Sequence, residues 1–303
     1  ASVYANHLGV ERLIAFDMGG TTAKCALVEG ALSEVQDTYY VGGYDRGFPL
    51  RTPVLDIVEV GTGGGSIAFV DGTRLHVGPL SAGSYPGPVC FGQGGQQPTV
   101  TDVNLILGRI GGKRFLDGQL PLDISAAHKA VADQIFRPLG YNGRADLDHV
   151  ANGILTLANA QMATAIKEVT IERGREVRDF ALFVFGGGGP LHGTDLAREL
   201  GIQKVIVPPE PGNFSALGML FADARVDEMQ SFRLNVDDLA PTALRDQIRD
   251  LKERVAKTLR EEFSARSSLF EYQAEMRFRG QRHSLRVGFD ADDEAACLKK
   301  NFF

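Results

Sequence analysis

The segment that most constrains this chain is Leu13–Val28, where an apolar run enters a turn of small residues and a second apolar stretch leaves it. The uninterrupted Leu13, Ile14, Ala15, Phe16 is the pattern of a strand covered on both faces. It delivers a carboxylate, Asp17, to a turn built from Gly19, Gly20, Thr21 and Thr22, and Lys24–Val28 reads as the returning strand. Glycines let a backbone approach a polyphosphate closely, and exposed N–H groups and threonine hydroxyls donate to its oxygens. Asp17 repels phosphate itself. Its roles are to hold Mg2+ through water or to orient a nucleophile, with capping of the turn amides as the ordinary alternative. Lys24, just past the turn, is either a phosphate-neutralising cation or a surface lysine.

A second glycine loop lies far downstream. Phe180–Phe185 is continuously apolar and runs into Gly186, Gly187, Gly188 and Gly189, after which Pro190 opens a helix that Gly201 stops. Lys204–Val207 follows as a further strand. Strand, glycine loop, helix and strand in that order bring amides and a helix N-terminus to a phosphate or a ribose–adenine edge. Two such loops on one sheet point to nucleotide binding. Glycine is also abundant overall, 36 of 303 residues, against a usual share of ~7%. The excess is clustered, so several separate backbone segments require close approach. His192, in the first turn of the helix, is a candidate ligand or substrate contact, set against a packed, hydrogen-bonded histidine.

Between the loops, residues 12–36 read as a hairpin turning at Glu29-Gly30. A second hairpin is expected from Ile57–Val60 through Gly61–Ser66 to Ile67–Val70, with Asp71-Gly72 turning the chain into Arg74–Val77. Glu59, two residues before the glycines, is a candidate general base or Mg2+ partner, or else an edge-strand carboxylate. The Gly- and Pro-rich stretch 78–95 is expected to be irregular and to meet a partner surface. Helices are expected over 103–109, capped by Thr101 or Asp102, over 124–137, capped by Ser125, and over about 147–174, capped by Asp146 or Asp148. Asp102 doubles as a candidate metal ligand. Asn152, Asn159 and Gln161 on the long helix face a ligand, solvent or a neighbouring helix. A change of character near 232 separates residues 1–232, with a helical segment at 100–175, from 233–303, where a charged amphipathic helix precedes alternating strands.

Several functions are disfavoured. The net charge is −6 with 32 scattered basic residues, so no basic stripe for nucleic acid exists. No apolar stretch reaches membrane-spanning length, and the N-terminus lacks the order of a signal peptide. Cys25, Cys90 and Cys297 lack metal-ligand spacing, which fits a reducing, cytoplasmic setting. No local pair of histidines or cysteines suggests zinc, and no nucleophile elbow surrounds Ser81 or Ser84. The chain lacks an initiator Met and breaks off soon after a strand pattern, so it reads as a piece of a longer polypeptide.

The linked motifs FDMGGTTAKCALVEG, VGTGGGSIAFVDGTRLHVGPLSAGSYPGPVCFGQGG, TVTDVNLILGRI, FGGGGPLHG and PPEPGNFSALGMLFADARVDE resemble the hydantoinase/5-oxoprolinase family, specifically its hydantoinase A subunit, across residues 11–232. The last 70 or so residues agree only in outline, chiefly at 276–285. The resemblance implies an α/β fold: an actin-like ATPase, ribonuclease-H-like lobe with a mixed sheet and flanking helices, plus the start of a C-terminal α+β domain. Asp17–Thr22 would be the second-lobe phosphate motif and Gly186–His192 the loop near the adenosine, with ATP and Mg2+ (or Mn2+) as cofactors. The expected reaction is ATP-dependent hydrolysis of a cyclic amide such as a hydantoin, N-methylhydantoin or 5-oxoproline. An ATP-hydrolysing subunit of an acetone or acetophenone carboxylase and a non-enzymatic nucleotide switch are the alternatives. The resemblance further implies a hydantoinase B-type partner and an N-terminal lobe absent from this chain, without which activity is not expected.

Overall fold

The computed structural model describes residues 1–303 except 31, 34, 37–38, 42–47, 51–53, 112–114, 142–146, 232–234, 239–240, 282–283, 291–294 and 303. Two compact units are present, Ala1–Phe221 and Ala222–Phe303.

In the first unit, helix α1 (Ser2–Leu8) precedes strands β1 (Arg12–Met18), β2 (Ala23–Glu29) and β3 (Leu32–Ser33). Short ribbons follow: β4 (Val35–Gln36) pairs with β7 (Val54–Leu55), and β5 (Tyr39–Val41) with β6 (Phe48–Leu50). Then come β8 (Val58–Val60), β9 (Ser66–Asp71), β10 (Arg74–Ser81), and helices α2 (Val100–Ile106), α3 (Ile124–Val131) and α4 (Leu147–Val169). Strand β11 (Ala181–Phe185), helix α5 (Gly189–Leu200), strand β12 (Val205–Ile206) and helix α6 (Phe214–Leu220) complete it.

The main sheet has the order β12-β11-β1-β2-β3, with β8 also on β2. It is mixed: β1, β11 and β12 run parallel, while β1–β2, β2–β3 and β2–β8 are antiparallel. Strands β1 and β11 are central because their apolar runs feed two cores, successive side chains pointing to opposite faces. Ile14, Phe16, Met18, Leu182 and Val184 join Ile154, Met162 and Ile166 of α4 and Leu196 of α5 on one face. Leu13, Ala15, Ala181 and Phe183 meet Ala5 of α1 and Phe214 of α6 on the other. Leu13, Ile14, Phe16 and Phe183 are wholly buried.

Local expectations hold at α5, which has Pro190 in its first turn and Gly201 as a left-handed cap, and at the Asp71-Gly72 turn between β9 and β10. Others are corrected. The single hairpin expected over 12–36 is two: β1 turns into β2 at 19–22, and the Glu29-Gly30 turn then joins β2 to its antiparallel partner β3. Gly61–Ser66 is not a hairpin turn: β8 pairs with β2, β9 with β10, and the glycines cross between them. Thr99, rather than Thr101 or Asp102, caps α2, and Asp123, rather than Ser125, caps α3. The cap of α4 expected at Asp146 or Asp148 involves a stretch partly outside the described residues.

The second unit contains α7 (Pro241–Phe263), the hairpin β13 (Tyr272–Met276) and β14 (Leu285–Phe289), and α8 (Ala295–Phe302). Leu244 and Ile248 of α7 pack with Leu298 of α8 over Tyr272, Ala274, Met276 and Phe289.

Candidate functional site

Three glycine segments converge where β1 ends. Consecutive carbonyls of the turn are each claimed from behind: Met18 O by the Gly188 N–H at 2.9 Å, Gly19 O by Gly64 at 3.0 Å and Gly20 O by Gly65 at 2.6 Å. In a trans peptide the N–H points opposite to its C=O. Binding the carbonyls of Gly19 and Gly20 to the 63–65 segment therefore turns the N–H groups of Gly20 and Thr21 away from it. Neither N–H, nor the hydroxyl of Thr21 or Thr22, has a partner among the described residues. Gly19, Gly20 and Thr21 are exposed. The result is a cluster of exposed donors without partners among the described residues, the chemistry that receives an anion.

Glycine is required by approach as much as by conformation. A methyl on Gly63 would lie 2.7 Å from Thr21 N and 2.8 Å from Gly20 C. Gly186 adopts φ +79°, and a methyl there would overlap Asp17 Oδ1 and Met18 O. Gly187 is exposed with open space around it, and Gly188 packs on the Met18 side chain. That the Gly61–Ser66 segment backs the 19–22 turn is the contact that sequence reading missed; its surplus of glycine over what a hairpin turn needs was the available signal.

Asp17, Lys24 and Glu59 form one row. Asp17 is in register with Lys24 on β2, and Lys24 with Glu59 on β8, so the three side chains share a face of the sheet. Along β1 that face reads Leu13, Ala15, Asp17, with the apolar cover of α1 and α6 ending before the carboxylate. Lys24 Nζ lies 3.9 Å from Glu59 Oε1, both side chains about half exposed. Asp17 Oδ2 accepts a 2.7 Å hydrogen bond from Ser215 Oγ in the first turn of α6. Ser215 lies 198 residues from Asp17, and no local pattern could have linked them. Glu59 is thereby an edge-strand carboxylate facing Lys24, two strands from Asp17.

The structure removes His192 from this group. Its ring is fully buried, with Nδ1 2.7 Å from Asn159 Oδ1 and Nε2 3.4 Å from Asn104 Nδ2. Nδ1 donates and Nε2 accepts, so the ring is a neutral strut joining α2, α4 and α5, and substrate cannot reach it. Burial pushes its pKa down to about 4 from 6.5; Arg109 acts in the same direction and Asp195 opposes. Above pH 6.5 the ring is neutral in both folded and unfolded chains, and this stability is fully present. As pH falls towards 4 the unfolded chain takes a proton that the folded one refuses, removing about 3 kcal/mol. Thermal melts between pH 7 and 4.5 should show this decline, and His192→Gln should flatten it relative to the parent; parallel slopes would contradict the assignment.

Asp102 is likewise not a metal ligand. It is fully buried, and its carboxylate accepts from the backbone N–H groups of Val89, Cys90 and Thr99 and from Thr99 Oγ1, which receives the Asp102 N–H in return. This capping box fixes part of the 78–95 stretch, whose Val89 and Cys90 are buried while Leu80 and Tyr85 stay exposed. Asp102→Ala strands three buried N–H donors and should cost about 3 kcal/mol in denaturant unfolding; a change within error would contradict the assigned role.

Among the described residues no group of three or more His, Cys, Asp or Glu is placed to hold a metal. Asp17 alone fits Mg2+ only in the form that ion favours with nucleotides, one carboxylate supplemented by phosphate oxygens and water. Buried Cys25, its thiol pushed up to about 12 by desolvation and by Glu168, is no nucleophile. No described helix is long and apolar enough to cross a membrane.

Comparison with known proteins converges on this lobe. The hydantoinase/oxoprolinase family model matches residues 1–228. Caprolactamase subunit alpha of Pseudomonas jessenii is 34% identical over 308 residues, covering 98% of this chain and 43% of the relative. A 5-oxoprolinase of Dictyostelium discoideum is 31% identical, covering 98% of this chain and 24% of its own length. The crystal structure of the P. jessenii ATP-dependent caprolactamase superposes with a TM-score of 0.79 over 98% of this chain and 43% of that one. A nucleotide-free acetone carboxylase structure gives 0.76 at 26% identity, over 99% of this chain and 44% of that one. The chain thus spans less than half the length of these relatives, and its mixed α/β fold is theirs.

Proposed function

The chain belongs to the hydantoinase/oxoprolinase family, and from that premise we propose that it is the phosphate-gripping lobe of an enzyme that uses ATP to open a cyclic amide. The supporting observation is the pair of free N–H groups at Gly20 and Thr21, turned outward by the glycine segment behind them and flanked by Asp17. These amides and the hydroxyls of Thr21 and Thr22 would donate to phosphoryl oxygens, with Lys24 adding a positive charge to the same end of the sheet. Asp17 would hold Mg2+ through water or orient the attacking group, and Gly186–Gly189 would border the nucleotide. Bound Mg2+ would neutralise charge developing on the phosphates.

Cyclic amides are poor electrophiles. Transfer of a phosphoryl group from ATP to the amide oxygen, with ADP leaving, would make the ring carbon open to water. Breaking the ring C–N bond of the water adduct would free the amine and leave an acyl phosphate, and a second water would release the carboxylate and phosphate. Donors fixed in advance towards developing charge are the means by which a protein accelerates such a step. Relatives named for caprolactam and 5-oxoproline both act on cyclic amides, which supports this substrate class. The acetone carboxylase likeness supports a second reading, in which the same transfer activates a ketone enolate or bicarbonate. In either case a B-type partner subunit is proposed, with exposed Leu80 and Tyr85 as contact candidates.

The test is phosphate release by the full-length gene product with its partner subunit. Stimulation by 5-oxoproline, a hydantoin or caprolactam, and not by acetone with bicarbonate, is the expected result. Stimulation by the ketone and bicarbonate alone would select the second reading, and stimulation by neither would overturn both.

A further inference from the structure

The glycine segment behind the phosphate turn is itself held by a side chain from outside the site. Thr62 is buried, and its Oγ1 donates to Gln161 Oε1 at 2.5 Å, while Gln161 Nε2 donates to Val77 O at 3.0 Å. Gln161 stands on α4, the helix whose Met162 and Ile166 are fixed in the main core. On its other side, Gly64 O accepts from both the backbone N–H and Oγ1 of Thr101, at 2.8 Å each. Ser66 Oγ accepts from Gly63 N–H at 2.8 Å. A segment with three consecutive glycines has little conformational preference of its own, yet its amides must meet Gly19 O and Gly20 O for the turn's donors to face outward. Something rigid must set its position.

We propose that Gln161 is a positioning residue for the phosphate turn, acting through Thr62 and the 63–65 segment, a role that rests on the nucleotide reading above. Without the Thr62–Gln161 bond the segment loses its anchor to α4 and withdraws from Gly19 and Gly20. The Gly20 and Thr21 amides then lose their fixed direction, and only ligands that carry phosphate are affected.

The test is calorimetric titration of the full-length gene product with Mg-ATP and, separately, with adenosine. Thr62→Val removes the hydroxyl at constant shape, and Gln161→Met removes both amide bonds. Each should weaken Mg-ATP binding about tenfold, the worth of one well-made hydrogen bond, and leave adenosine binding unchanged. The double variant should be no worse than either single one, and Thr62→Ser should retain parental affinity. Should Thr62→Val fail to fold, Gln161→Met carries the comparison. Unchanged Mg-ATP affinity in folded Gln161→Met, or equal losses for ATP and adenosine, would overturn the proposal. Failure of the parent to bind Mg-ATP would instead overturn the nucleotide reading beneath it.

Discussion

Gly186→Ala should unfold this chain or destabilise it by more than about 4 kcal/mol, whereas Gly187→Ala, one residue on, should be nearly neutral. Gly186 sits at φ +79°, where an L side chain costs about 1–2 kcal/mol from backbone sterics alone. The added methyl would also overlap Asp17 Oδ1 and Met18 O and lie 2.9 Å from Met18 C. Met18 O cannot yield, because it is bonded to Gly188 N–H, and Gly186 N–H is bonded to Pro211 O at 2.8 Å. Gly187 has no neighbour within 4 Å and no positive φ. Denaturant unfolding of the two variants reads the contrast directly; equal stabilities would mean that the loop does not pack against Asp17.

Asp17→Asn should leave the fold intact and reduce ATP turnover in the full-length protein by about 10²–10⁴-fold, the range for losing a positioned catalytic acid or base. The amide keeps an oxygen that can accept from Ser215 Oγ, so packing is preserved. It cannot take up a proton, and it is a far weaker ligand for a hard cation. Half exposure of the neighbouring Lys24 and Glu59 means that neither is fixed tightly enough to substitute. Phosphate release, with a thermal melt as control, checks this. Parental turnover in the variant would remove Asp17 from the chemistry.

What could be read from the sequence follows physical range. Strands β1 and β11 were legible because burial on both faces writes an unbroken apolar run, and α5 because Pro190 and Gly201 punctuate it locally. The Gly61–Ser66 crossing was misread because periodicity reveals that Val58–Val60 is a strand but not that its partner is β2, across some thirty intervening residues. At the site, Asp17 and the 19–22 turn were visible as a local motif. Ser215 and Thr62 were not, and Gln161 stood out only as a polar residue on the long helix with no partner assigned, since their bonds span 198 and 99 residues and depend on the assembled sheet and helices. His192 looked like a site residue because it lies beside a glycine loop. Its partners Asn159 and Asn104, 33 and 88 residues away, make it part of the core.

The most direct test of the account is a crystal structure of the full-length protein with Mg2+ and a non-hydrolysable ATP analogue. The account predicts phosphate oxygens within hydrogen-bond reach, about 2.7–3.2 Å, of the Gly20 and Thr21 backbone nitrogens, with the glycine carbonyls still bound from behind by Gly64 and Gly65. A nucleotide whose phosphates lie elsewhere, leaving those two N–H groups to solvent, would contradict it.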